Sequence, residues 1–273
     1  MKNVVQRTVS GIIYLVVIIG SLFLGQFAFA ALFLLISLLA LYEFYGMAVV
    51  SGGSPFTLQG LIAGALVYVV SFLATSGIIP WDLLGLILIT PVLLLLTALY
   101  SKKDDIIRNI AVTFLGLVYI ILPMSVMNHL AFPDATSHVY THRIVLGILI
   151  LVWINDTGAY LTGMTLGRHR LFSRVSPKKS WEGAIGGGVL TAIVSMWMVP
   201  LMGILTRTDW IALAVIISVF GVYGDLTESL FKRSLDMKDS GSIIPGHGGI
   251  LDRMDSVLFV MPVAVVYLLL RNI

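Results

Sequence analysis

Apolar residues run along this chain in long blocks rather than in alternation, and short polar interruptions separate the blocks. A helix needs about 20 mostly apolar residues to cross the hydrocarbon of a bilayer. By that ruler about nine blocks qualify, at residues 8–25, 27–49, 57–76, 81–100, 107–130, 142–165, 182–204, 209–231 and 252–271. The gap at Gly25-Gln26 is so short that the first two blocks also read as a tight helical hairpin. The pattern predicts an all-α integral membrane protein, a polytopic helical bundle forming one unit over residues 1–273.

Composition strengthens that picture. Hydrophobic residues make up 58% and charged residues 11% of the 273 positions, against about 25% charged in a soluble domain. The mean hydropathy is +1.01. With no cysteine in the chain, disulfides, thiolate metal sites and cysteine nucleophiles are excluded. The basic start, Lys2 to Arg7, resembles a signal peptide, but Val9 to Leu24 lacks a small-residue cleavage site and reads as a retained first helix.

The net charge of +3 matters less than its placement. All but three of the 17 Lys and Arg residues fall before the first block or at the connections of blocks four and five, six and seven, or eight and nine, counting Arg108 and Arg253 in the first turns of the fifth and ninth blocks. Arg143, Arg207 and Arg271 lie on the other side. Basic residues concentrate in cytoplasmic loops, so the N-terminus is predicted inside and the C-terminus outside, with an odd number of spans between them.

Ionisable residues are rare in the first four blocks. Asp82, after Pro80-Trp81, is expected to cap a helix N-terminus. Glu43, flanked by Tyr42 and Tyr45, reads as an interfacial or inter-helix hydrogen-bond partner rather than a catalytic group. The loop with His138 and His142 has no acidic partner to support a metal site, and the outer side looks chemically empty. The sixth block differs. Asp156, in Asn155-Asp156-Thr157-Gly158, costs about 3 kcal/mol at membrane depth and is a functional candidate, a structural hydrogen bond being the alternative. Gly158, Ala159 and Gly163 would let other backbones approach it.

The following loop carries Arg168, Arg170, Arg174, Lys178 and Lys179. Pro177 and a cap at Ser180 would set Lys178 and Lys179 beside a helix N-terminus, a natural seat for phosphate. Gly183, Gly186, Gly187 and Gly188 then read as a close-packing face.

The densest charge lies between residues 225 and 255. Asp225 with Glu228, and Asp252 with Asp255, are three apart and share helix faces. Between the pairs come Lys232, Arg233, Lys238, Asp239 and a turn with glycines at 241, 246, 248 and 249, whose N–H groups can point at one anion. Paired acids suggest a divalent cation and the turn suggests phosphate. His247 reads as a proton donor, a phosphate contact or a plain loop residue. No Walker-type loop is present.

Ser229-Leu230-Phe231-Lys232-Arg233, Lys238-Asp239 and Pro245-Gly246-His247-Gly248-Gly249-Ile250-Leu251-Asp252-Arg253-Met254-Asp255 resemble the signature of the phosphatidate cytidylyltransferases, the CDP-diacylglycerol synthases. Asn155 to Tyr160 and Ser176 to Gly183 are similar to further segments of that family, so the likeness covers about the second half of the chain. The resemblance implies a polytopic, homodimeric, magnesium-dependent enzyme. It would convert CTP and phosphatidic acid into CDP-diacylglycerol and pyrophosphate in phospholipid biosynthesis, in the inner (plasma) membrane with its active site on the cytoplasmic side.

On that reading residues 1–100 are apolar scaffold helices with room for dimer contacts, and residues 101–273 form the catalytic half. Asp225, Asp252, Asp255 and Glu228 are candidate ligands for Mg2+, or for two cations. Asp225, Asp252, Lys232, Arg233 and Asp156 are the catalytic candidates. Lys178, Lys179, Lys238, Asp239, His247, Gly248, Gly249 and Arg253 are candidates for holding the nucleotide. Phosphatidate is already ionised near neutral pH, so no general base is required. A transporter using Asp156 and Asp225 is the main alternative, but no internal repeat is evident and the charges sit at helix ends. A lipid kinase, a CDP-alcohol phosphotransferase and a structural scaffold fit less well, and nothing suggests nucleic acid.

Overall fold

The structure, a computed structural model, describes residues 2–134, 136–241, 243 and 248–273, with side chains from Thr8 onward. Its elements are α1 (Lys2–Phe23), α2 (Gln26–Val50), α3 (Thr57–Thr75), a 3-10 turn (Trp81–Leu88) leading into α4 (Ile89–Leu99), α5 (Ile106–Gly116), a π segment (Leu117–Ile121), α6 (Leu122–Ala131) and α7 (Arg143–Leu166). After these come β1 (Arg170–Phe172), β2 (Ser176–Ser180), α8 (Trp181–Ser195), α9 (Met198–Met202), α10 (Arg207–Ser234) and α11 (Leu251–Leu270).

Among the described residues seven helices are long and apolar enough to cross a membrane: Gln26–Val50, Thr57–Thr75, Trp81–Leu99, Ile106–Ala131, Arg143–Leu166, Arg207–Ser234 and Leu251–Leu270. The other two apolar blocks correspond to α1, with the shorter apolar run Thr8–Phe23, and to α8 with α9, which are 15 and 5 residues long. The chain is a mostly helical, multi-pass membrane protein.

Contacts group it into two compact bodies, Met1–Tyr140 with Asp239–Arg253 and Thr141–Lys238 with Met254–Ile273. In the first, α2 buries Phe29, Phe33, Ile36, Ala40, Leu41, Phe44 and Tyr45, a stripe recurring at three- and four-residue spacing. The turn into α2 falls at Gly25, whose φ of 109° suits a residue without Cβ. Tyr45 donates from its hydroxyl to Thr113 O at 2.8 Å, and a Cβ on Gly116 would come within 2.7 Å of its ring. The π segment precedes Pro123, which has no N–H to close an ordinary turn. His138 places Nδ1 3.0 Å from Thr75 O, so this histidine secures the loop to the end of α3. Nearby, bonds from Thr136 and Ser137 hold the Asp134 carboxyl well below its usual range.

One expectation here needs correction. Asp82 does not occupy the cap: Pro80 does, and Asp82 sits in the first turn with no side-chain cap bond. The fixed φ of Pro80 starts the turn, and the acid still lies at the favourable end of the helix dipole.

In the second body α7 and α8 pack glycine against glycine. A Cβ on Gly158 would lie 3.1 Å from Gly187 Cα, and one on Gly187 would lie 2.6 Å from Asn155 O. Only small residues permit such backbone approach. At its opposite end, Thr206 and Asp209 form a capping box at the start of α10. Asp209 is fully buried, and its Oδ1 accepts from Tyr267 Oη at 2.9 Å and Arg271 Nε at 3.2 Å. Loss of a cap and of bonds to a charged acceptor costs on the order of 2–4 kcal/mol. Asp209→Ala is therefore expected to lower the melting midpoint in detergent while preserving turnover below the transition; an unchanged midpoint would contradict this account of the network.

The basic loop after α7 is a structured element rather than a simple connection. β1 and β2 pair antiparallel, Arg170 opposite Ser180 and Phe172 opposite Ser176. Their small hairpin is an addition to the predicted all-α architecture.

Candidate active site

The hairpin delivers its lysines to a helix start, as the sequence suggests. Ser180 Oγ accepts from Gly183 N at 3.1 Å and caps α8. Glu182, in the first turn of α8, accepts from the backbone N–H groups of Arg168 (3.1 Å) and His169 (3.1 and 3.2 Å). It also pairs with His169 Nδ1 at 2.6 Å. The bond from His169, then backbone bonds, hold the Glu182 carboxyl down at about 2. The hairpin is thus tied at its base to α8.

From the end of β2, Lys179 forms an ion pair with Asp225 of α10. Ser229 Oγ, one turn further along α10, donates to Asp225 Oδ1 at 3.2 Å. Asp255 of α11 is half-buried and feels the charges of Asp225, Asp156 and Lys179. A Cβ on Gly224 would lie 3.0 Å from Ser256 Cα and collide with the carbonyl of Asp255, so that glycine lets α10 and α11 meet beside the acids. Asn155, adjacent to Asp156, is buried, and its Oδ1 accepts from Thr191 Oγ1 at 3.5 Å. The second body therefore gathers Asp156, Asp225, Asp255 and Lys179 from four elements.

The other body holds the turn and Asp252. Asp252 Oδ2 accepts from Ser240 N at 3.0 Å and Gly249 N at 2.8 Å. The N–H groups that could have faced an external anion at those two positions thus face a carboxylate of the protein. Gly248 has φ 83°, and a Cβ there would come within 2.7 Å of Asp252 Oδ2, so both conformation and space favour glycine. Asp239 lies beside Gly248.

The remaining candidates are spread along α10 and its exit. Glu228 and Lys232 form a buried pair at 2.7 Å, an i,i+4 arrangement on one helix face. Arg233 Nη1 donates to Met237 O at 3.1 Å and helps end α10. Lys178, Lys238 and Arg253 are exposed. His247 lies outside the described residues. Glu43, read from the sequence as an interfacial or inter-helix hydrogen-bond partner, fills that role: its carboxylate accepts from Ser240 and from Leu251 at the start of α11. An acid inside an apolar helix is the signal that singles it out.

Among the described residues no three His, Cys, Asp or Glu side chains converge closely enough to hold a metal ion by themselves. The donor chemistry still suits a hard divalent cation: Asp156, Asp225 and Asp255 offer only oxygen, with Lys179 as the opposing charge. Magnesium commonly takes one or two carboxylates and completes its shell with water and substrate phosphates.

The chain matches the model of a family described as the cytidylyltransferase family over residues 5–271. It is 36% identical over 262 residues to a protein of Staphylococcus aureus (strain COL) named phosphatidate cytidylyltransferase, covering 94% of this chain and 95% of that one. Proteins of the same name from Staphylococcus epidermidis (strain ATCC 35984) and Staphylococcus saprophyticus are each 34% identical, over 262 and 260 residues, again covering 94% of this chain and 95% of each relative. With a match running through both bodies and every polar cluster just described, the chain belongs to the cytidylyltransferase family and is a membrane-embedded nucleotidyltransferase.

Proposed function

We propose that the enzyme transfers the cytidylyl group of CTP to phosphatidate, giving CDP-diacylglycerol and pyrophosphate at the cytoplasmic face of the plasma membrane. The observation that carries this reading is the ion pair of Lys179, from β2, with Asp225, both of whose charges act on Asp255, where α10 and α11 are apolar enough to adjoin acyl chains. The names of the relatives supply the substrate class.

A phosphate oxygen of phosphatidate attacks the α-phosphorus of CTP and forms the new P–O bond. The bond from that phosphorus to the α,β-bridging oxygen breaks, and its electron pair leaves with pyrophosphate. The nucleophile is already an anion, so neutralising charge is the main task of the protein. Lys178, Lys179, Lys232, Arg233, Lys238 and Arg253 are assigned to the phosphates, with Asp239, His247, Gly248 and Gly249 beside the nucleotide. Asp225 and Asp255 would hold magnesium, with Asp156 as a further acid beside them; Asp252 and Glu228 remain candidate ligands on the sequence pattern, and a second cation is the variant of this scheme. When bound, the ion would offset the repulsion between the two anions and stabilise the departing pyrophosphate. A homodimer completes the proposal and is checked by cross-linking in native membranes.

Purified protein given labelled CTP, phosphatidic acid and magnesium is expected to form CDP-lipid and pyrophosphate in equal amounts. Absence of both products in an active preparation would overturn the reading. Membrane-impermeant labelling in intact cells is expected to spare a cysteine introduced at Ile243, and labelling from outside would overturn the cytoplasmic placement.

A further inference from the structure

Glu43 lies in α2, far along the chain from the acids above, and is 5% exposed. Its Oε2 accepts from Leu251 N at 2.9 Å and Ser240 Oγ at 3.3 Å, partners 208 and 197 residues away. Leu251 opens α11, so its N–H is one of the donors a helix start leaves without an intrahelical acceptor. Glu43 thus caps α11 from another helix, with its negative charge at the positive end of the dipole.

Ser240, Gly241 and Gly249 lie close against this carboxylate. A Cβ on Gly249 would come within 2.5 Å of Glu43 Oε2 and collide with Ser240 Oγ. One on Gly241 would lie 2.6 Å from Glu43 Cδ and collide with Oε1. Ser240 joins the two acids, since its Oγ donates to Glu43 while its backbone N–H donates to Asp252. Gly249, which leaves no room for a Cβ beside Glu43, donates to Asp252 as well. Ser240 and Gly249, which donate to Asp252, thus both lie beside Glu43.

We propose that Glu43 is a positioning residue: it fixes Ser240, Gly241, Gly249 and Leu251 in the arrangement that aims Asp252. The proposal gives the N-terminal half a direct part in building the site, and it rests on the reading of Asp252 as a residue the reaction needs. Glu43→Ala is expected to lower kcat about a hundredfold, the scale of a displaced reacting group, with KM for CTP changed by only a few-fold. Glu43→Gln retains an oxygen for Leu251 N and should recover most of that loss. A cysteine at Ile243 in this otherwise cysteine-free chain should react faster with maleimide in Glu43→Ala and at the original rate in Glu43→Gln.

Gly241→Ala alone supplies a test in which Glu43 itself is kept, and the double variant then measures their coupling. Its added methyl meets Glu43, so Gly241→Ala alone should slow turnover and loosen the turn, while in an inserted Glu43→Gly or Glu43→Ala background it should add little. Full activity and unchanged labelling in Glu43→Ala, or fully additive losses in the double variant, would overturn the proposal. If Asp252→Asn were fully active, the reading beneath it would fail instead, which separates the two failures.

Discussion

Asp225→Asn is expected to abolish cytidylyl transfer and leave the protein inserted in the membrane. Asparagine matches aspartate in shape and keeps an oxygen for Ser229 Oγ, which donates to Oδ1 at 3.2 Å. What it removes is the charge opposite Lys179 and near Asp255. Stability should change little, because both partners are about a third exposed or slightly less and such pairs contribute about 0–1 kcal/mol. Removing a preorganised charged group from a phosphoryl-transfer site costs on the order of 10²–10³ in kcat, and loss of a cation ligand would add to that. The double variant Lys179→Met with Asp225→Asn separates the roles. If the pair served only to balance two charges, deleting both would restore turnover; here the double variant is expected to stay inactive. Near-normal turnover in Asp225→Asn would remove this residue from the site.

The same pair illustrates which features can be read from a sequence. Lys179 was marked by its place before a helix start and Asp225 by its place among acids, since each obeys a local rule about charge and helix ends. The glycine face of α7 and α8 was equally legible, because a backbone can approach another closely only where Cβ atoms are absent. The cap at Ser180 was legible as a serine after Pro177 at the head of an apolar block, and its side chain accepts from Gly183 N. Other features answer to no local rule. The hairpin has strands of three and five residues, contains Pro177 and shows no apolar alternation. It is held by Glu182 from the next helix as well as by its own ladder. Asp82 fitted the preference for acids at caps, but Pro80 began the turn two residues earlier. Glu43 stood out as an acid within an apolar helix, while its partners lie about 200 residues further on. Periodicity and spacing carry no information over that separation.

Asp252→Asn has the second large expected effect, and the structure makes it a sharper test than the usual loss of a carboxylate. Oδ2 of Asp252 accepts the N–H groups of Ser240 and Gly249, and the carbonyl oxygen of asparagine can accept both. The turn should therefore keep its form, and a cysteine at Ile243 should react with maleimide at the original rate. Turnover should nevertheless fall by on the order of 10²–10³, as for a charged group that acts on the transition state. Asp252→Ala removes the acceptor as well, so it should lose activity and also loosen the turn. The difference between these two variants separates the charge of Asp252 from its hold on the loop. Glu43→Ala should share only the second effect, with turnover reduced yet measurable, because the Asp252 charge is still present but less well aimed. An active Asp252→Asn enzyme would show that the carboxylate serves to fold the turn and that the chemistry lies with Asp225, Asp255 and Asp156.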